Sequence, residues 1–128
     1  MYRAAVSKGS FSGLLERMSK KHIRALAKEF DIDLKGLTIN IDKNEELLNV
    51  PFSGRAGPEN IGGITFFPNA FRDKETLLRT LIHEKQHVLQ FKEYGTAYVQ
   101  AHRRRFEALA YEVEDVFIEK LKKGANYN

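Results

Sequence analysis

The residues best equipped for chemistry in this chain are His83, Glu84 and His87, within His83-Glu84-Lys85-Gln86-His87, an H-E-x-x-H sequence. If the stretch is helical, histidines at i and i+4 leave the same face about 40° apart, one turn above the other. Two imidazole nitrogens at that spacing can bind one tetrahedral metal ion. Glu84 lies about 100° round from His83, awkward for a third ligand but within reach of a metal-bound water. The chemistry this spacing suggests is metal binding with an adjacent proton acceptor.

The surrounding sequence supplies the helix. Asp73 is a good N-cap, and Glu75 puts negative charge in the first turn, where the helix dipole favours it. Gly95 stands where a C′ glycine is expected. Leu77, Leu78, Leu81, Ile82, Val88 and Leu89 form an apolar arc roughly opposite the histidines. The arc predicts one face packed on a core and the other presenting His83 and His87. Lys85 falls inside the arc, its stem coverable while its ammonium reaches water.

A chain of 128 residues fits one domain, here taken as 1–128, and its 42% hydrophobic and 30% charged content is globular rather than disordered. There is no cysteine, so disulfides, thiolate zinc sites and cysteine nucleophiles are excluded. Any zinc must be held by His, Asp or Glu. The net charge of +4 suits acidic partners without demanding nucleic acid. No apolar run approaches the roughly 20 residues that a membrane-spanning helix needs. The first residues, Met1 to Gly13, lack the apolar region of a signal peptide. The default expectation is cytoplasmic, or delivery within a larger chain.

Taken in order, residues 1–10 read as flexible. A helical period runs from Phe11 through Leu14, Leu15, Met18, Ile23, Leu26 and Ala27 to Phe30, with Ser10 or Ser12 as cap. His22, among Lys20, Lys21 and Arg24, reads as a solvated surface histidine. Leu37 to Asp42 alternates apolar and polar, the pattern of a half-buried strand. A short strand within Leu47 to Phe52 would be confined to an edge or an end by Pro51. Ile64 to Phe67 is a strand stopped by Pro68. A last helix runs from about Thr96 to Lys123, its stripe formed by Val99, Phe106, Leu109, Ala110, Val113, Phe117 and Leu121. The fold class is α+β: an N-terminal helix, a small sheet that the short connections predict to be antiparallel, the H-E-x-x-H helix and a long C-terminal helix.

Two histidines alone make a weak zinc site, and a third ligand must come from elsewhere. On the wheel of the last helix, Glu107 borders the buried face, and Glu114 lies within about 20° of the same line. His102 sits at the opposite border. Glu112 points to the solvated side. Glu107 is favoured for its depth in the helix, about three turns in, with Glu114 and His102 as alternatives.

His83-Glu84-x-x-His87 followed by Glu107-x-x-Ala110 resembles the glutamate-ligand zincin metallopeptidases. The stretch LIHEKQHVLQ resembles the helices of small bacterial zincins found in toxin effector domains and phage proteins. The resemblance covers roughly residues 62–117. It implies a minimal zincin-like domain with Zn²⁺ held by His83, His87 and Glu107, and Glu84 as general base. Peptide bonds in a protein or peptide would be the substrate, and a cognate inhibitor or immunity protein a possible partner. The strand Ile64, Thr65, Phe66 would line the substrate cleft, a peptide adding to its edge. Many such enzymes carry an acidic residue four after the third ligand to orient a histidine; here that place is Tyr111. Tyr111, Tyr94 and Arg103 are candidates for an oxyanion donor or for supporting the ligands, with Tyr98 also open.

The alternative is a catalytically silent basic domain that binds nucleic acid or an acidic protein. His102-Arg103-Arg104-Arg105 motivates it, with Lys20 and Lys21. Three successive arginines spread over about 200° of a helix, which is a solvated face rather than one patch. No aromatic-rich strands are spaced to stack bases.

Overall fold

The computed structural model describes residues 2–4 and 17–124, so the expected helical start at Phe11 to Leu15 and the Ser10 and Ser12 caps lie outside the described residues. The described elements are β1 (Tyr2–Ala4), α1 (Lys20–Glu29), β2 (Thr38–Ile41), β3 (Phe52–Ala56), β4 (Gly63–Phe66), α2 (Lys74–Tyr94), α3 (Thr96–Ala101) and α4 (Arg103–Lys123). Two 3₁₀ turns, Glu45–Asn49 and Pro68–Phe71, connect them. The class is α+β, as the sequence predicts. No helix is long and apolar enough to cross a membrane among the described residues.

The start of the chain departs from expectation. Tyr2–Ala4 is an edge strand paired antiparallel with β3, and Arg3 is buried at 4% exposure. A cation is held inside there because carboxylate and hydroxyl partners await it, as described below.

The sheet is mixed, in order β1-β3-β4-β2. β3 and β4 form the expected antiparallel pair, but β2 runs parallel to β4, Ile39 opposite Ile64. β2 and β3 do point in opposite directions, yet they stand one strand apart with β4 between them. The long connection through the Glu45–Asn49 turn permits that skip. Pro51 ends this connection. It has no N–H to give a ladder, so the strand starts after it rather than before. Asn69, buried, ties the two 3₁₀ turns together by donating to the carbonyls of Leu48 (2.8 Å) and Val50 (3.0 Å).

Helix α1 starts at Lys20 under a Ser19 cap, whose hydroxyl accepts from His22 N at 3.0 Å. It buries Ile23, Leu26 and Ala27. Helix α2 is bounded as the sequence predicts: Asp73 accepts from Thr76 N at 2.7 Å, and Gly95 closes the end at φ 84°, a backbone that suits glycine. Its orientation is not as predicted. The sheet covers one side and α4 the other, so His83, Glu84 and His87 are as buried as Leu77, Leu78 and Leu81, while Leu89 is 47% exposed. There is no open histidine face.

The C-terminal helix is broken at His102, whose ring Nδ1–H donates to the Tyr98 carbonyl at 2.9 Å. A small cluster of Phe91, Val99 and Phe106 pins this corner. In α4 the fully buried residues are Phe106, Ala110, Glu114 and Ile118, a period of four. Leu109 and Val113 of the expected stripe are 39% and 38% exposed. The helix is rotated so that two carboxylates, not two more aliphatics, face α2.

Strand β3 approaches α2 closely at Gly54. A Cβ placed there would lie 2.5 Å from Thr80 Cγ2 and 3.2 Å from Glu84 Cγ. Thr80 is fully buried and branched at Cβ, with little room to yield. Gly54→Ala is expected to destabilise the protein by about 1–3 kcal/mol, measured as a shift in urea midpoint at constant slope.

Candidate metal centre

The i, i+4 spacing on α2 brings the two imidazoles together with Nε2 atoms 3.2 Å apart. From α4, Glu107 places Oε1 3.0 Å from His87 Nε2 and in contact with His83 Nε2. Three potential donor atoms thus face one point.

Their partners on the far side fix the protons. His83 Nδ1 is 3.0 Å from Glu114 Oε2. His87 Nδ1 is 2.8 Å from Gln90 Oε1, and the Gln90 amide is oriented by its Nε2, which donates to the Phe106 carbonyl at 3.0 Å. Both Nδ1 atoms therefore meet acceptors and must carry hydrogens. A neutral imidazole has only one N–H, so each Nε2 presents a bare lone pair. Two lone pairs and a carboxylate oxygen converging on a point repel unless a cation or a proton lies among them. Two imidazoles and one carboxylate, each imidazole braced through its other nitrogen, fit a divalent metal such as zinc with a position left for water.

Without a metal, a proton takes the cation's place. Burial works against a charge on His83, but hydrogen bonds to Glu107 and Glu114 outweigh it and lift its pKa to about 9. Burial also opposes charge on Glu107, yet its bonds to His83 and His87 hold its carboxyl down at about 2.

Glu84, about 100° round α2 from His83, lies under Gly54 of β3. Its carboxylate comes within 4.8 Å of the imidazole donor atoms. Neither of its oxygens has a hydrogen-bond partner among the described residues. Burial pushes its carboxyl up to about 8, although the charge of His83 pulls the other way. A buried carboxyl with no partner is costly to keep. At this place it is packed between the histidines and β3.

Glu114 is sequestered at 2% exposure by a bidentate clasp from Arg3, whose Nε and Nη2 lie 3.0 and 3.1 Å from its oxygens. Arg3 Nη1 also donates to Ser53 Oγ at 3.2 Å, and Thr80 Oγ1 lies 3.0 Å from the same hydroxyl. Arg79 adds a longer contact to Glu114 at 3.4 Å. The carboxylate that braces His83 is thus itself braced.

The sequence-derived candidates separate accordingly. His83, His87 and Glu107 meet; Glu84 adjoins them. Tyr111 packs its ring edge-on against His83, centroids 4.4 Å apart. Glu114 braces His83 from behind rather than joining the three converging atoms, and His102 is turned to Tyr98, away from them. Tyr94 is 51% exposed and stacks with Tyr98 and Phe106, outside the cluster. Arg103 is exposed on the rim of a concavity of about 610 Å³ beside Glu107, lined also by Gln100, Arg104 and Tyr111. The expected cleft strand is a correction. Ile64, Thr65 and Phe66 lie in β4, hydrogen-bonded on both edges, so no peptide can add to it. The sheet element against Glu84 is β3. Sequence reasoning missed Arg3, Ser53 and Gln90. Gln90 had a signal, since it follows His87 by three and shares its face; Arg3, on a three-residue strand, had none.

Compared with protein-family models, with curated proteins and with solved structures, the chain gives no match. The resemblance to glutamate-ligand zincins rests on the sequence motif alone.

Two outcomes follow. Below about pH 9 a metal must displace the His83 proton, so apparent zinc affinity should fall about tenfold per unit as pH drops, and level off above. The same proton stabilises the metal-free fold: its contribution is complete below the unfolded value of 6.5 and is lost as pH rises through about 9. Chelator competition and thermal melts across that range check both. Glu114→Gln, which keeps the shape but weakens the acceptor for His83 Nδ1–H, should lower zinc affinity by about 10- to 100-fold, read by the same competition.

Proposed function

We propose that the protein is a zinc-dependent hydrolase of peptide bonds. The observation that carries this reading is the convergence of His83 Nε2, His87 Nε2 and Glu107 Oε1, with an unpartnered buried carboxyl, Glu84, on their inner side. Zinc held by those three atoms supplies Lewis acidity, bringing the pKa of bound water toward about 7 and polarising a carbonyl.

The chain's own residues do the rest. Glu84 accepts the proton of the attacking water and returns it to the departing amine. Without metal, burial raises its pKa to about 8; a cation bound beside it would pull that value down and favour the carboxylate that accepts the proton. Glu114 and Gln90 hold both rings with Nε2 inward. Arg3 holds Glu114 in place. Tyr111, against His83 at the mouth, is the nearest candidate to donate to a developing oxyanion, in preference to Tyr94.

Glu84→Gln should retain stoichiometric zinc and lose at least about 100-fold in turnover of a casein or mixed-peptide substrate. Glu107→Ala should lose zinc, measured by elemental mass spectrometry. Undiminished cleavage by Glu84→Gln would overturn the role of that carboxyl. Undiminished zinc in Glu107→Ala would move the third ligand elsewhere.

A further inference from the structure

The concavity beside Glu107 has a cationic wall. Arg103 and Arg104 are exposed there, and neither has an ion pair or hydrogen bond among the described residues. Glu107 follows Arg103 by four on α4, the spacing at which opposite charges pair on a helix. That pairing is not made, because the Glu107 carboxylate is turned inward onto the two imidazoles. No other acidic residue lines the concavity; its remaining lining is Gln100, Ala101, Ala108 and Tyr111. Two guanidiniums are therefore left beside the concavity into which the cluster opens, where the Glu107 side chain is 26% exposed.

Spacing says how they would meet a substrate. Arg103 and Arg104 lie about 6 Å and about 4.5 Å along the helix axis from Glu107. An extended peptide advances about 3.3 Å per residue. Their backbone positions thus stand one to two peptide residues along the helix from Glu107, and their side chains carry planar pairs of N–H donors of the kind that bind a carboxylate through both oxygens.

We infer that Arg103 and Arg104 form a carboxylate-selective subsite. It favours peptides carrying an acidic side chain, or a free C-terminal carboxylate, one or two residues from the bond to be cut. This rests on the peptidase reading of the same site and narrows its substrate class. Arg105, one residue on, belongs to a different depression with Tyr94, Tyr98 and Phe106, so the three successive arginines do not act as one patch.

The test is binding first and cleavage second. Zinc-loaded full-length Glu84→Gln protein is titrated with four fluorescent probes. One peptide has acidic side chains and an amidated end; one has neutral side chains and a free C-terminal carboxylate; one is neutral and amidated; the fourth is a single-stranded oligonucleotide. At least one carboxylate peptide should bind about tenfold tighter than the neutral amide, and the preferred arm identifies the source of the carboxylate. Arg103→Glu/Arg104→Glu in the same background should erase that preference. Both residues are exposed, and an unchanged circular dichroism melt confirms that the variant folds. Equal binding of all peptides, or a preference that survives the charge reversal, overturns the subsite. Tighter binding of the oligonucleotide than of either carboxylate peptide, lost on charge reversal, also overturns it in favour of nucleic acid. Cleavage-site sequencing with the Glu84-containing parent separates the two readings. Selective binding without hydrolysis sinks the peptidase and keeps the subsite; hydrolysis without acidic preference does the reverse.

Discussion

Two neutral imidazoles whose Nε2 atoms stand 3.2 Å apart would turn lone pairs on each other, and the structure is arranged to hold them there. Each ring is turned inward by an acceptor behind it, Glu114 for His83 and Gln90 for His87. Nothing in helix geometry requires this; i, i+4 histidines on a surface would rotate away from each other into water. Here burial removes water, and the acceptors leave one tautomer for each ring. A positive charge among the three atoms, a proton on His83 or a metal ion, relieves the repulsion between them.

A carboxylate cannot be buried behind a histidine without its own compensation. Glu114 receives it from Arg3, which is carried in by the short edge strand β1. The sheet thus does more than cover a helix: its outer strand delivers a charge. The rotation of α4 follows from the same requirement. With Arg3 and His83 inside, positions 107 and 114 belong to the packed face, and Leu109 and Val113 turn outward. β3 contributes by omission, since the missing side chain at Gly54 leaves room for Glu84.

The sequence made legible what depends on local rules. Asp73 and Gly95 bounded the central helix because caps are local chemistry, and His83 and His87 met because helical spacing is rigid. Glu107 fell on the boundary of the last helix by the same wheel. What could not be read depended on distant pairing. A wheel weighted by hydrophobicity counts Glu114 as polar and turns the stripe toward Leu109 and Val113, because Arg3 is invisible to it. Alternation identified β2 and β4 as strands but not their order, since strand order is decided by which edge each connection reaches. Ile64 to Phe66 thus looked like an edge and proved central.

The clasp between Arg3 and Glu114 joins positions 111 residues apart. Arg3 is therefore made long before the carboxylate it clasps. Burying either charge alone is costly, so the closed arrangement around His83 waits on a contact of high sequence separation, the kind that forms slowly.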